Sequence, residues 1–186
     1  MVKPAKFLAV RGPQTRKNLL AQGYDVPEIY GDPALLLPKY YHPKIEKSYR
    51  LGIVPHYNDY KTVYKMYKAN PEVLVINLMT NHIEETTNLF LQCERIVSSS
   101  LHGLIISHAY QIPAVWVEFS KNLFGDGIKF QDYFESIDII SYQAVFYDKP
   151  VAIETFMELF KTDTNLPSLE KIEQVQKDLM SVCPFV

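Results

Sequence analysis

The sequence predicts an α/β domain on a mainly parallel sheet, and three observations carry that expectation. Short runs rich in Val and Ile recur along the chain without period-two alternation, as in strands covered on both faces. Segments with apolar residues at helical spacing lie between them. A polar or charged residue follows nearly every apolar run, where α/β sheets bind ligands beyond the carboxyl ends of their strands.

The strand-like runs are 7–10 (FLAV), 49–55 (YRLGIVP), 72–78 (EVLVINL), 95–99 (RIVSS) and 112–119 (IPAVWVEF). The first intervening helix is expected over 13–23, ending at Gly23, a C-cap residue type. Residues 57–70 place Val63, Met66 and Tyr67 on one face. Residues 81–94 start at Asn81 with Glu84 three residues on, the spacing of a capping box. Residues 101–111 align Leu101, Leu104, Ile105 and His108, which reads His108 as core. Strand and helix alternate at least four times, implying right-handed parallel crossovers. The stretch 31–48, with three prolines, is expected to be a loop or short edge element. Residues 148–160 and 168–182 read as amphipathic helices with no strand between them, a helical tail packing back on one domain spanning 1–186.

Bulk properties narrow the function. The 186 residues contain 47% hydrophobic and 22% charged residues, enough for a sizeable core. A net charge of −2 gives no whole-surface attraction to nucleic acid or an anionic membrane. Cys93 and Cys183 show no metal-ligand spacing and make no disulfide framework, which fits a reducing, cytoplasmic setting. No metal site is expected. No apolar run approaches the roughly 18 residues of a spanning helix.

The residues after each run are Arg11-Gly12, His56, Thr80, Ser98-Ser99-Ser100 with His102, and Ser120. On one sheet edge they would form a cleft for a phosphate or carboxylate. Ser100 is the expected N-cap of a helix starting at Leu101. The N–H groups of Leu101, His102 and Gly103 would then face an anion, and Gly103 would let it approach the backbone. His102 can exchange a proton near neutral pH. The plainer alternatives are that the serines only cap a helix, that the histidine is a satisfied polar residue and that Arg11 pairs with an acidic neighbour. Residues 125–134 (GDGIKFQDYF) read either as a lid bringing Lys129 to the ligand or as a surface loop before a helix.

Three stretches resemble the polysaccharide pyruvyl transferase family. Residues 10–38 carry Arg-Gly-Pro-x-Thr and Gly-Asp-Pro-Ala; residues 98–119 carry Leu-His-Gly, an apolar helix and Ile-Pro-Ala; residues 125–137 follow. The resemblance spans about residues 6–140. It implies a Rossmann-like three-layer domain, similar to one half of a GT-B glycosyltransferase fold. It also implies transfer of a pyruvyl group from phosphoenolpyruvate to a sugar or lipid-linked oligosaccharide of a surface glycan, with no cofactor and at most a location at the inner membrane face. In that reading Arg11, Ser99, Ser100, Leu101, Gly103, Thr80 and Lys129 bind substrate, His102 is the acid and His56 an acceptor-side base. Ser100 stands where many members carry Arg, so Lys121 or Lys129 supplies that charge or the ligand differs. The matching stretches resemble a C-terminal half, which implies a second cleft wall from an N-terminal half or another copy, and weak turnover by this chain alone. Glycosyl transfer from a nucleotide sugar and a non-catalytic assembly module are the competing readings.

Overall fold

The computed structural model describes residues 5–121, 127–161 and 166–185. Its centre is a five-stranded sheet of β1 (Leu51–Val54), β2 (Val73–Val75), β3 (Ile96–Ser98), β4 (Ala114–Glu118) and β5 (Val145–Phe146), in the order β2-β1-β3-β4-β5. Every pairing is parallel, with Ile53 opposite Val75 and Val97, and Ser98 opposite Trp116. The crossovers are α3 (Tyr60–Tyr67), α4 (Ile83–Leu91), α5 (Leu101–Ala109) and α6 (Ile128–Ser136).

Two apolar clusters explain the unbroken strand pattern. Val54, Ile96, Ala114 and Trp116 face one layer, with Phe90 of α4, Leu104 of α5 and Phe134 of α6. Leu51, Ile53, Val97, Val115 and Val117 face the other, with Val63 of α3 and Phe156 of α7 (Ile153–Glu158). Both sheet faces are covered, so both registers are apolar until the carboxyl ends, where Ser98 closes β3 and Glu118 closes β4. The result is a Rossmann-like three-layer α/β arrangement, as the sequence predicts.

Several elements differ from expectation. Residues 7–10 do not join the sheet. Val10 alone pairs, in an isolated parallel bridge to Tyr30, with Val10 N–H donating to Ile29 O at 3.0 Å and Gly31 N–H to Val10 O at 3.0 Å. The partner segment ends at Gly31-Asp32-Pro33, so the pairing cannot lengthen. α1 (Pro13–Ala21) then starts at its proline, and Gly23 follows it at φ +85°. The proline-rich 31–48 stretch is not all loop. Asp32 caps a 3-10 turn (Pro33–Leu36) that runs into the single-turn α2 (Leu37–Tyr40), with Pro33 and Pro38 in first turns, where a missing N–H costs nothing. The capping box at Asn81 does not form: α4 starts after His82, whose N–H is taken by Thr80 Oγ1 at 3.1 Å. β5 escaped the sequence reading because its two residues are half-exposed at the sheet edge.

The C-terminal α8 (Leu169–Ser181) buries Ile172, Val175 and Leu179 against the Leu35 side of the core, and Gln176 Nε2 donates to Leu35 O at 2.7 Å. Ser168 caps it by accepting from Lys171 N–H.

Gly103 is a packing position. A Cβ there would lie 2.1 Å from Ser98 Oγ and 2.9 Å from Val54 Cγ1. Ser98 cannot yield easily, because its hydroxyl lies within 2.8 Å of Val54 O and 2.7 Å of Ser100 O and accepts from Ser100 N–H at 3.0 Å. Gly103→Ala should therefore destabilise the chain by about 1–3 kcal/mol in urea unfolding, although alanine favours helix by about 1 kcal/mol. An unchanged midpoint would contradict this packing account.

Candidate functional site

The strand order reverses between β1 and β3, and the chain ends of those strands diverge there, opening the crevice in which such sheets bind ligands. A cleft of about 520 Å³ occupies it. The loop after β1 supplies Pro55, His56 and Tyr57; that after β2 supplies Leu78 and Met79; the start of α5 supplies Ser100, Leu101 and His102. Arg11, from before α1, and Lys129, from α6, complete the wall. Six of the residues singled out from the sequence for this site (Arg11, His56, Ser100, Leu101, His102 and Lys129) thus line one cavity.

The serine run builds the floor. Ser99 is fully buried; its Oγ accepts the His56 N–H at 2.8 Å and its N–H donates to Val54 O at 3.1 Å. Ser99 is therefore a fastener between the ends of β1 and β3, and unlike Ser100 it does not line the cleft. Ser100 occupies the N-cap position with extended backbone, but its side chain makes no cap bond. Gly103 N–H is taken by Ser100 O at 3.0 Å and its α-carbon is packed on Ser98, so it cannot offer ligand access. The N–H groups of Leu101 and His102 stay at the helix start without an intrahelical partner. Thr80 lies in a separate 110 Å³ cavity with Ile83 and Thr87, away from the cations, because its hydroxyl serves the start of α4.

One of the two cations is fixed by a carboxylate. Arg11 Nε donates to Asp132 Oδ2 at 3.2 Å. Asp132 also accepts from Gln14 N–H at 2.8 Å and Thr15 N–H at 3.1 Å through Oδ1, and from the Thr15 hydroxyl through Oδ2. The Arg-Gly-Pro-x-Thr segment is thereby wired to α6. Gly12 permits the contact: a Cβ there would fall 2.0 Å from Asp132 O. Lys129 sits over the Phe130 ring at 5.4 Å, and burial, then the Arg11 charge, lower its pKa. Lys121 is not a lining residue; it lies over Phe146 at 5.8 Å on the sheet edge. Of the two lysines named for the charge that Ser100 lacks, Lys129 lines the cleft. Gly125 lies outside the described residues, as does most of the loop before α6, so the lid expectation is placed only from Gly127 onward.

His56 is lowered below its usual 6.5 by burial and by Lys129, with Asp59 acting in the opposite direction. Asn58 N–H donates to its Nδ1 at 3.4 Å, so the neutral ring carries its proton on Nε2. That tautomer presents an N–H donor at Nε2. The ring packs against Tyr57 at 4.2 Å, and Tyr57 and Met79 are 60% and 67% exposed on the rim. His102 is exposed, with Nε2 3.7 Å from Asp32 Oδ2.

These groups make affinity depend on pH. An anion raises the pKa of His56, so binding takes up a proton where the free ring is neutral. Sulfate, whose charge is constant across this range, should bind several-fold tighter at about pH 5.5 than at about pH 7.5, and His56→Gln should flatten much of that rise. The fold responds in the opposite sense: with the folded pKa below the unfolded 6.5, His56 contributes stability that is lost as pH falls through that value. Calorimetric sulfate titration at the two pH values checks the first sign, and a slope unchanged in the variant would remove His56 from the site.

A model of the family described as polysaccharide pyruvyl transferase matches residues 1–121, which covers Arg11, the Asp32 turn and the Ser98–His102 floor. The chain belongs to the polysaccharide pyruvyl transferase family. An uncharacterized protein of Acanthamoeba polyphaga mimivirus is 38% identical over 130 residues, covering 67% of this chain and 45% of the relative. The chain thus spans less than half the length of that curated relative. No solved structure matches it. The sequence pointed to this family through Leu-His-Gly and Arg-Gly-Pro, but missed two carboxylates. Asp132 fixes Arg11, and Asp32 faces His102; Asp32 was visible only as part of Gly-Asp-Pro-Ala. Other features lie outside this chemistry. Burial pushes the Cys93 thiol up to about 12. Among the described residues no cluster of three or more His, Cys, Asp or Glu is placed to hold a metal ion, and no helix is long and apolar enough to cross a membrane.

Proposed function

We propose that this pyruvyl transferase family member binds phosphoenolpyruvate in the Arg11–Lys129–His102 cleft and transfers its pyruvyl group to a sugar. The observation carrying this reading is the convergence of two cations and a helix start on one crevice, which suits a donor bearing both phosphate and carboxylate. Arg11, held by Asp132, takes one anionic group; Lys129 and the Leu101 and His102 N–H groups take the other. His102 gives a proton to the enol methylene carbon, leaving an electrophilic carbon bonded to phosphate oxygen. One sugar hydroxyl forms a C–O bond there. The bond to phosphate breaks as a second hydroxyl closes the ketal. One hydroxyl proton restores His102 and the other leaves with phosphate, so the overall change consumes a diol and phosphoenolpyruvate and needs no resident cofactor. Stabilising the charge on phosphate is the main catalytic term. The acceptor, free or lipid-linked, approaches over the Tyr57 and Met79 rim.

Thermal unfolding with phosphoenolpyruvate, a uridine diphosphate sugar and inorganic phosphate tests the donor. At about 100 times its Kd a ligand adds about 2.7 kcal/mol, or roughly 5–10 °C for a chain of this size. A shift with phosphoenolpyruvate, reduced by Arg11→Ala, is expected. A shift with the nucleotide sugar alone would replace this reading with glycosyl transfer.

A further inference from the structure

We infer that Asp32 is the positioning residue of His102, setting which ring nitrogen meets the substrate; the inference rests on the proposed acid role of His102. Asp32 divides its two oxygens between different tasks. Oδ1 accepts the Ala34 N–H at 3.0 Å and so caps the Pro33–Leu36 turn. Oδ2 is left pointing at His102, 3.7 Å from Nε2. The carboxylate is 18% exposed while the imidazole is 61% exposed, so the buried partner is the fixed one and the ring is what it orients.

The turn that carries Asp32 is itself braced. Val175 and Leu179 of α8 pack on Gly31, and Gln176 Nε2 donates to Leu35 O. Tyr133 is fully buried, and burial, with the Asp32 charge acting in the same direction, pushes its phenol well up. A carboxylate held on one side of an imidazole draws the ring proton to the facing nitrogen and stabilises the imidazolium. Here the facing nitrogen is Nε2, so Nδ1 is the atom that gives the proton to the enol carbon. After transfer the neutral ring keeps Nε2–H toward Asp32, and a sugar hydroxyl proton returns to Nδ1.

Asp32→Asn separates the tasks. The amide oxygen retains the Ala34 bond, so the amide NH₂ takes the place of Oδ2 and faces Nε2. It donates to that nitrogen and drives the neutral ring to the opposite tautomer. The test is imidazole ¹⁵N spectroscopy on the histidine-labelled chain at alkaline pH, with His102→Gln for assignment. Neutral His102 should carry its proton on Nε2 in the parent and on Nδ1 in Asp32→Asn. The same tautomer in both would overturn the inference. Should Asp32→Asn not fold, Asp32→Ser keeps a cap oxygen and removes the facing group, and a mixture of tautomers is then expected, an unchanged single tautomer being the contrary result. In a pyruvyl transfer assay Asp32→Asn should lower kcat at least about tenfold, with Kd for phosphoenolpyruvate within about twofold of the parent. A loss confined to Kd would also overturn it. The tautomer readout needs no turnover, so it decides the role of Asp32 even if the parent chain transfers no pyruvyl group, an outcome that would fall on the transfer reading instead.

Discussion

Asp132→Ala should destabilise this chain by about 3–5 kcal/mol, the loss expected when one member of a buried charge network is removed. Asp132 is 1% exposed and accepts from Arg11, two backbone N–H groups and the Thr15 hydroxyl. Truncation leaves those donors without their acceptor between α1 and α6. Each unmet buried donor costs about 1–3 kcal/mol, and partial relaxation toward solvent keeps the sum below four such losses. Asp132→Asn should cost less, because its amide oxygen still serves the Gln14 and Thr15 N–H groups. It nonetheless opposes an NH₂ to Arg11, so donor affinity should fall in this variant more than stability does. Urea unfolding of both variants, with phosphoenolpyruvate titration of the second, checks the pair. A loss below 1 kcal/mol in Asp132→Ala would mean that the motif is not held through α6.

His102→Gln should reduce pyruvyl transfer by about 10²–10⁴-fold, the range for a lost general acid, with a much smaller change in donor affinity. Glutamine can hydrogen-bond in the cleft but cannot deliver a proton. Since the side chain is 61% exposed, stability should stay nearly constant, so any loss of turnover belongs to chemistry. Single-turnover rates against phosphoenolpyruvate Kd resolve the two effects. Unchanged turnover would assign the proton to another group.

Much of this architecture was legible because two-sided burial leaves a direct mark. Strand runs such as 72–78 and 112–119 carry apolar residues in both registers, and their helices keep one apolar face. What failed was governed by partners that the apolar pattern does not register. The 7–10 run looks like any buried strand, yet it finds only Tyr30. The 31–48 prolines look like loop punctuation until Asp32 supplies the first acceptor of a turn. In the site, residue type indicated the chemistry but not its direction. Arg11 and His102 reach the cleft, whereas the Ser99 hydroxyl faces inward to His56 N–H and Thr80 turns to α4. Gly103 was assigned to ligand approach, when the close neighbour is Ser98. The partners of the two key side chains, Asp132 and Asp32, lie 121 and 70 residues away from them in sequence. No local pattern encodes such a pairing.

The wiring of the cleft floor has a thermodynamic consequence. Ser100 N–H is tied locally to Ser98 Oγ, and two amides are tied across strand ends: His56 to Ser99 Oγ and Ser99 to Val54 O. Their hydrogen exchange requires the β1–β3 seam to part, which places the floor among the last regions to open. Tyr57, Met79 and His102 stand on the solvent side of that seam. An anion therefore meets a floor already ordered by folding, and the entropy of ordering falls on the exposed rim.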